Sequence, residues 1–78
     1  MKGFYFLIMG SDTLDQYRVF NTKRAAVGAY QRVAEELNRY GQEIHGQIHI
    51  APSAADMVEY PDFVLSLGPR GGVKVELT

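Results

Sequence analysis

Two histidines separated by three residues are the first groups in the sequence that could do chemistry. His45 and His49 have the His-x-x-x-His spacing that holds zinc when both side chains project from one face of a helix. The isoleucines at positions 44, 48 and 50 alternate with polar residues, which is the pattern of a strand with one buried face and one exposed face. Four residues along a strand separate two side chains by roughly 13 Å, too far to share one ion. The pattern therefore predicts two solvent-facing strand histidines and no metal site.

Two basic residues open the helix that the sequence predicts next. Lys23 and Arg24 fall in its first turn, where the helix macrodipole is positive and acidic side chains are normally favoured. Unpaired backbone N–H groups and two cations at one helix start would suit a phosphate of a nucleic-acid backbone. The alternative is that both long side chains extend into water. The residues alone leave both interpretations open.

A glycine-rich segment, residues 68–72, also carries a cation. Arg70 lies at its centre and Lys74 follows closely, so a basic recognition loop is one interpretation. Glycine and proline are equally what a tight connection between two strands requires, and we favour this second interpretation. A single Arg-Gly-Gly is too common to indicate nucleic-acid binding.

Other chemistry-bearing patterns are missing from the sequence. It contains no nucleophile elbow, no phosphate-cradling glycine loop with lysine and no dinucleotide fingerprint, so we expect no catalytic residue and no cofactor. There is no cysteine, which excludes disulfides, a thiolate nucleophile and a cysteine zinc site. Small secreted domains normally depend on disulfides, and a cytoplasmic location is therefore expected.

Length and composition indicate one globular unit. The 78 residues, 46% of them hydrophobic, are enough for a single domain spanning residues 1–78. No apolar run approaches the length of a membrane span, so we expect no membrane partner. The apolar start of the chain superficially resembles a signal peptide, but six apolar residues are too few, and a strand is predicted there instead. A formal net charge of −1 means that nucleic-acid binding would need a local basic patch.

The periodicity predicts an α+β domain of ββαβββ order. We expect an antiparallel sheet of four to five strands, with one long amphipathic helix packed on one face. The helix should run from Lys23 to Tyr40, capped by Asn21 or Thr22 and ended by Gly41. The strands should cover residues 4–9, 16–20, 44–50, 62–67 and 73–77. A short helical turn is expected within residues 52–60.

One helix covers only one face of such a sheet, so the other face must meet water, a partner or a second copy. If the strand-three isoleucines face the helix, the uncovered face would carry both histidines, with an apolar row from strand one beside them. Charged neighbours on that face would be Arg18, Lys74 and Glu76. The competing expectation is that loops such as 51–62 cover this face. The candidate interaction surface comprises Tyr5, Arg18, Lys23, Arg24, His45, His49, Arg70 and Lys74.

These features predict a small, non-enzymatic protein-binding or regulatory module, of a type that phages and mobile elements commonly encode. It would act through an exposed sheet face or an edge strand, with a protein partner or with itself as a homodimer. The alternative is a single-stranded nucleic-acid-binding domain that uses basic and aromatic side chains of the candidate surface.

Overall fold

The computed structural model of the chain describes residues 3–78 and has the predicted order of elements. The strands are β1 (Phe4–Met9), β2 (Arg18–Phe20), β3 (Gly46–Ala51), β4 (Phe63–Leu67) and β5 (Val73–Leu77). The helix α1 spans Lys23–Asn38, and a single 3-10 turn lies at Ala54–Asp56. The fold is the expected α+β arrangement, although the second strand is shorter than predicted and the third begins two residues later.

The five strands form one antiparallel sheet in the order β2-β1-β3-β4-β5. The continuously apolar β1 lies inside the sheet, paired with β2 along one side and with β3 along the other. This position explains its lack of alternation, because an interior strand with cover on both faces has no side that must be polar. The edges of the sheet are β2 and β5.

Helix α1 begins and ends where its capping residues direct. The Thr22 hydroxyl accepts a hydrogen bond from the Ala25 N–H at 3.1 Å, which satisfies one of the unpaired donors of the first turn. At the other end, the Gly41 N–H donates to the Asn38 carbonyl and the Gln42 N–H donates to the Leu37 carbonyl. These are the two bonds of a Schellman motif, and Gly41 supplies the φ of 74° that it needs. The helix therefore has 16 residues and stops before Tyr40, which is exposed, so the prediction of a longer helix is wrong.

The core lies between α1 and the face of the sheet that carries Leu7, Ile48 and Leu65. Tyr30 projects from α1 into this layer, is fully buried, and donates a hydrogen bond from its hydroxyl to the Ile44 carbonyl at 2.6 Å. Burial raises the pKa of the Tyr30 hydroxyl because the charged phenolate would lose its solvation. The ring lies directly over Gly46, where a Cβ would come within 2.8 Å of it. The absence of a side chain at position 46 thus lets helix and sheet approach here.

Among residues 3–78, no helix is both long and apolar enough to cross a membrane.

Candidate functional site at the edge of the sheet

The centre of the sheet face opposite α1 is covered, which contradicts the expectation of two solvent-facing histidines on this face. Phe6, Ile8 and His49 all lie on this face and are each at most 3% exposed. His49 is therefore not the solvent-facing histidine that the alternation predicted. The competing expectation, that segment 51–62 covers this face, fits the observed burial of His49.

Segment 52–62 and Tyr17, the residue before β2, provide this cover. His49 Nδ1 lies 3.0 Å from the Val58 carbonyl oxygen, which ties segment 52–62 to the middle of β3. Its other ring nitrogen lies 3.4 Å from the Gln47 side-chain oxygen. The Tyr17 ring packs edge-on against Phe6, with centroids 5.1 Å apart. This central region is consequently a second small packing layer and not an open docking surface.

The candidate surface of the sequence does not assemble around the two histidines. His45 is exposed and precedes β3, near the C-terminal end of α1, while His49 is enclosed. Within residues 3–78, no three metal-ligating side chains cluster in a way that could hold an ion. Tyr5 also leaves the candidate surface, because it is half-buried and packs against the core on the helix side.

The cations lie at separate places in the fold. Arg18 is paired with Leu7, so it lies on the helix side of the β2 edge and not beside His49 as expected. Lys23 lies at the start of α1, with its ammonium 4.4 Å from the centre of the Phe63 ring.

Arg70 lies in the β4–β5 turn, at the opposite end of β4 from Phe63. Lys74 is on the sheet face away from the helix and forms an exposed ion pair with Glu76 at 3.3 Å.

Lys23 and Arg24 follow one another in the first turn of α1 and lie at one groove. Both line an open groove of about 630 Å³ between α1 and β5, whose lining also includes Val27, Gly28 and Val75. The groove reaches β5 at Val75. Leu77 lies on the same, helix side of that strand and is 80% exposed. An open groove with apolar side chains and two cations in its wall therefore lies between α1 and β5.

The outer edge of β5 completes this site. No strand within residues 3–78 pairs along it, and β5 has five residues against three for the other edge strand, β2. A long edge strand with exposed apolar side chains is a ready template for pairing with another chain. Sequence reasoning predicted the bounds of β5 correctly but did not single out Val75 or Leu77. The alternation of Val73-Lys74-Val75-Glu76-Leu77 is the sequence signal for these two residues. It indicates a docking edge only when the strand is known to lie at the edge of the sheet.

Comparison of the chain with protein-family models, with curated proteins and with solved structures finds no match.

Proposed function

We propose that this chain is a small, non-enzymatic protein-binding module that takes up an extended protein strand at the outer edge of β5. The observation that carries the proposal is the juxtaposition of an unpaired five-residue edge and an apolar groove beside it. Main-chain hydrogen bonds to the edge would provide affinity, and alternate side chains of the incoming strand would enter the groove.

The exposed apolar side chains of β5 support this role. Val75 and Leu77 are 36% and 80% exposed on the side of the sheet that α1 covers elsewhere. Soluble monomers usually protect a sheet edge with charges, proline or a bulge. Here the charged residues of β5, Lys74 and Glu76, both point to the other face and leave the groove side apolar. An incoming strand would bury this apolar row.

The test is a selection of random extended peptides against the protein, repeated on Val75→Pro. The Gly72 carbonyl and the Thr78 N–H bond toward β4, and this direction alternates along the strand, so the backbone of Val75 points away from β4. Proline there removes a donor from the outer edge without breaking the sheet's own ladder. Selected peptides should bind Val75→Pro at least about tenfold more weakly, because one main-chain hydrogen bond is lost and the ring obstructs the edge. The matched control is Val75→Ile, which keeps the N–H, the β-branched shape and the apolar character and should bind within about threefold.

Two results would count against the proposal. Peptides that bind wild type and Val75→Pro equally would place the contact elsewhere. A selection that enriches no peptide, on a chain that also stays monomeric, would refute the uptake of a strand at this edge. Circular dichroism and urea denaturation of both variants establish that they are folded before the binding is compared.

Single-stranded nucleic-acid binding has less support, because Arg18, Lys74 and Arg70 lie at places separate from the groove that Lys23 and Arg24 line. Fluorescence anisotropy of labelled single-stranded RNA and DNA would test it. Binding that weakens steeply with added salt would revive this alternative.

A further inference from the structure

The backbone of β5 presents its outward N–H and C=O groups at alternate residues. One hydrogen bond just beyond each end of the strand identifies these residues. The Gly72 carbonyl accepts a hydrogen bond from the Gly68 N–H at 2.6 Å, and the Thr78 N–H donates to the Asp62 carbonyl at 3.3 Å. Positions 72 and 78 thus point their backbone groups toward β4. In an antiparallel ladder this direction alternates along the strand. The N–H and C=O groups of Val73, Val75 and Leu77 therefore point outward, at the unpaired edge.

The sequence of β5 is chemically symmetric about its central residue. Val73 and Leu77 are apolar and lie two positions on either side of Val75, while Lys74 and Glu76 flank it with opposite charges. If two such strands pair antiparallel about Val75, each apolar residue faces an apolar residue. The same pairing puts Lys74 of each copy opposite Glu76 of the other. A strand with this pattern is complementary to itself.

From these two observations we infer that the strand bound at this edge is β5 of a second copy, centred on Val75, so that two chains form a continuous ten-stranded sheet with twofold symmetry. The inference rests on the proposed function, since it names the partner of the same edge. Because residues directly opposite each other share a face, both α1 helices lie on the same side of the joint sheet.

The hydrogen-bonding phase of the edge agrees with this register. The outward-pointing residues meet one another in three hydrogen-bonded pairs, Val75 with Val75 and, twice, Val73 with Leu77, and each pair exchanges two hydrogen bonds. Lys74 and Glu76 then form the intervening pairs, whose Cα atoms lie only about 4.5 Å apart. In the single chain these two side chains already pair along one strand, and both are well over half exposed. They are thus available to pair across the new joint instead.

Charge also selects this register over its neighbours. A shift toward Gly72 that centres the pairing on Lys74 places two lysines opposite each other, and a shift that centres it on Glu76 places two glutamates opposite each other. Like charges directly opposite on neighbouring strands are destabilising. The centre on Val75 is the register in which both cross-strand charge pairs attract.

Burial of apolar side chains adds to the stability of the pairing, and the small area that is buried limits its affinity. Leu77 would pack against Val73 of the other copy. The side chains of Val73, Val75 and Leu77, on the helix side of β5, would then form one apolar row that runs across both copies. Lys23 lies at the Leu77 end of the strand, over Phe63, so the twofold axis places the two Lys23 side chains at opposite ends of the joint. One five-residue strand buries less than a standard interface, so a dissociation constant on the order of micromolar is expected.

The experiment is analytical ultracentrifugation of the full chain across the micromolar to millimolar range, with a charge exchange between two variants. Wild type should pass from 8.7 kDa to twice that mass as concentration rises. Lys74→Glu alone leaves two acidic residues on each strand, and Glu76→Lys alone leaves two basic residues. Each variant should dimerise at least about tenfold more weakly, because both cross-strand pairs become repulsive.

An equal mixture of the two variants should restore the dimer, because the acidic strand of one variant then faces the basic strand of the other. The double variant Lys74→Glu, Glu76→Lys restores the pairing within one chain and should dimerise like wild type, which also shows that the changed residues are tolerated by the fold. Recovery in both arms is expected only for antiparallel pairing centred on Val75.

Two outcomes overturn the inference, and they separate it from the proposed function. A dimer that is insensitive to the charge variants uses another surface. A wild-type chain that stays at 8.7 kDa up to millimolar concentration does not pair through β5. If such a monomer still binds selected peptides in a manner abolished by Val75→Pro, the edge is a site for a foreign strand and the proposed function stands; if it binds none, both fail.

Discussion

Gly46→Ala should destabilise the protein because the new methyl group meets the ring at the centre of the core. A Cβ at position 46 would lie 2.8 Å from Tyr30 Cδ1 and 3.2 Å from Tyr30 Cε1. The optimal separation of two carbon atoms is about 3.5–4.0 Å. The ring has little room to yield, since Tyr30 is fully buried and its hydroxyl is held by the Ile44 carbonyl.

The size of the effect follows from two opposing terms. Overpacking of a well-packed core costs about 1–3 kcal/mol. Alanine also restricts the unfolded chain more than glycine does, and this raises the free energy of unfolding by about 0.4–1 kcal/mol at a compatible backbone conformation. The net loss in the free energy of unfolding should be about 1–2 kcal/mol, equivalent to a fall in Tm of roughly 5–15 °C for a domain of this size.

Urea denaturation followed by circular dichroism measures this loss, and Gly28→Ala is the matched control. Gly28 lies inside α1 and a Cβ there would meet nothing within 4 Å. Alanine at that position should stabilise the helix by about 0.5–1 kcal/mol. A Gly46→Ala variant as stable as wild type would refute the inferred contact between helix and sheet. A Gly28→Ala variant that loses stability would refute the open space assigned to that position.

Three further changes test other parts of the structure. Thr22→Ala should lower the free energy of unfolding by about 1 kcal/mol in urea titrations, because the Ala25 N–H loses its cap, whereas Thr22→Ser should restore most of it. Burial raises the Tyr30 pKa above 10.0, so the folded state holds this proton more tightly than the unfolded chain does. Stability from this group is therefore complete below pH 10 and falls as the pH rises beyond it; thermal unfolding at stepped alkaline pH should show a slope that Tyr30→Phe reduces. Asp62→Ala should cost about 1 kcal/mol and speed amide exchange at Ile50, whose N–H donates to the Asp62 carboxylate at 2.7 Å; unchanged exchange there would contradict this bond.

Local patterns were enough to predict most elements. The Val73–Leu77 alternation predicted a strand with those bounds, Thr22 marked the start of α1, and Gly41 marked the turn that follows its last residue, Asn38. Each of these features depends on residues within a few positions of one another, such as a cap and the N–H three residues later. A helix end or a strand face is therefore readable without knowing what lies on the other side of the molecule.

The candidate site depended on contacts between distant parts of the chain. The same alternation that placed His49 on the outer face of β3 could not show that the Val58 carbonyl would close over it. Nor could it show that β5 ends the sheet with the backbone of Val75 pointing outward, because that phase is fixed by the pairing of β5 with β4. The sequence by itself determined which residues of β5 are apolar and which are charged. Only the tertiary structure decided that this strand is an unpaired edge, since strand order and register are set by partners far away in the chain.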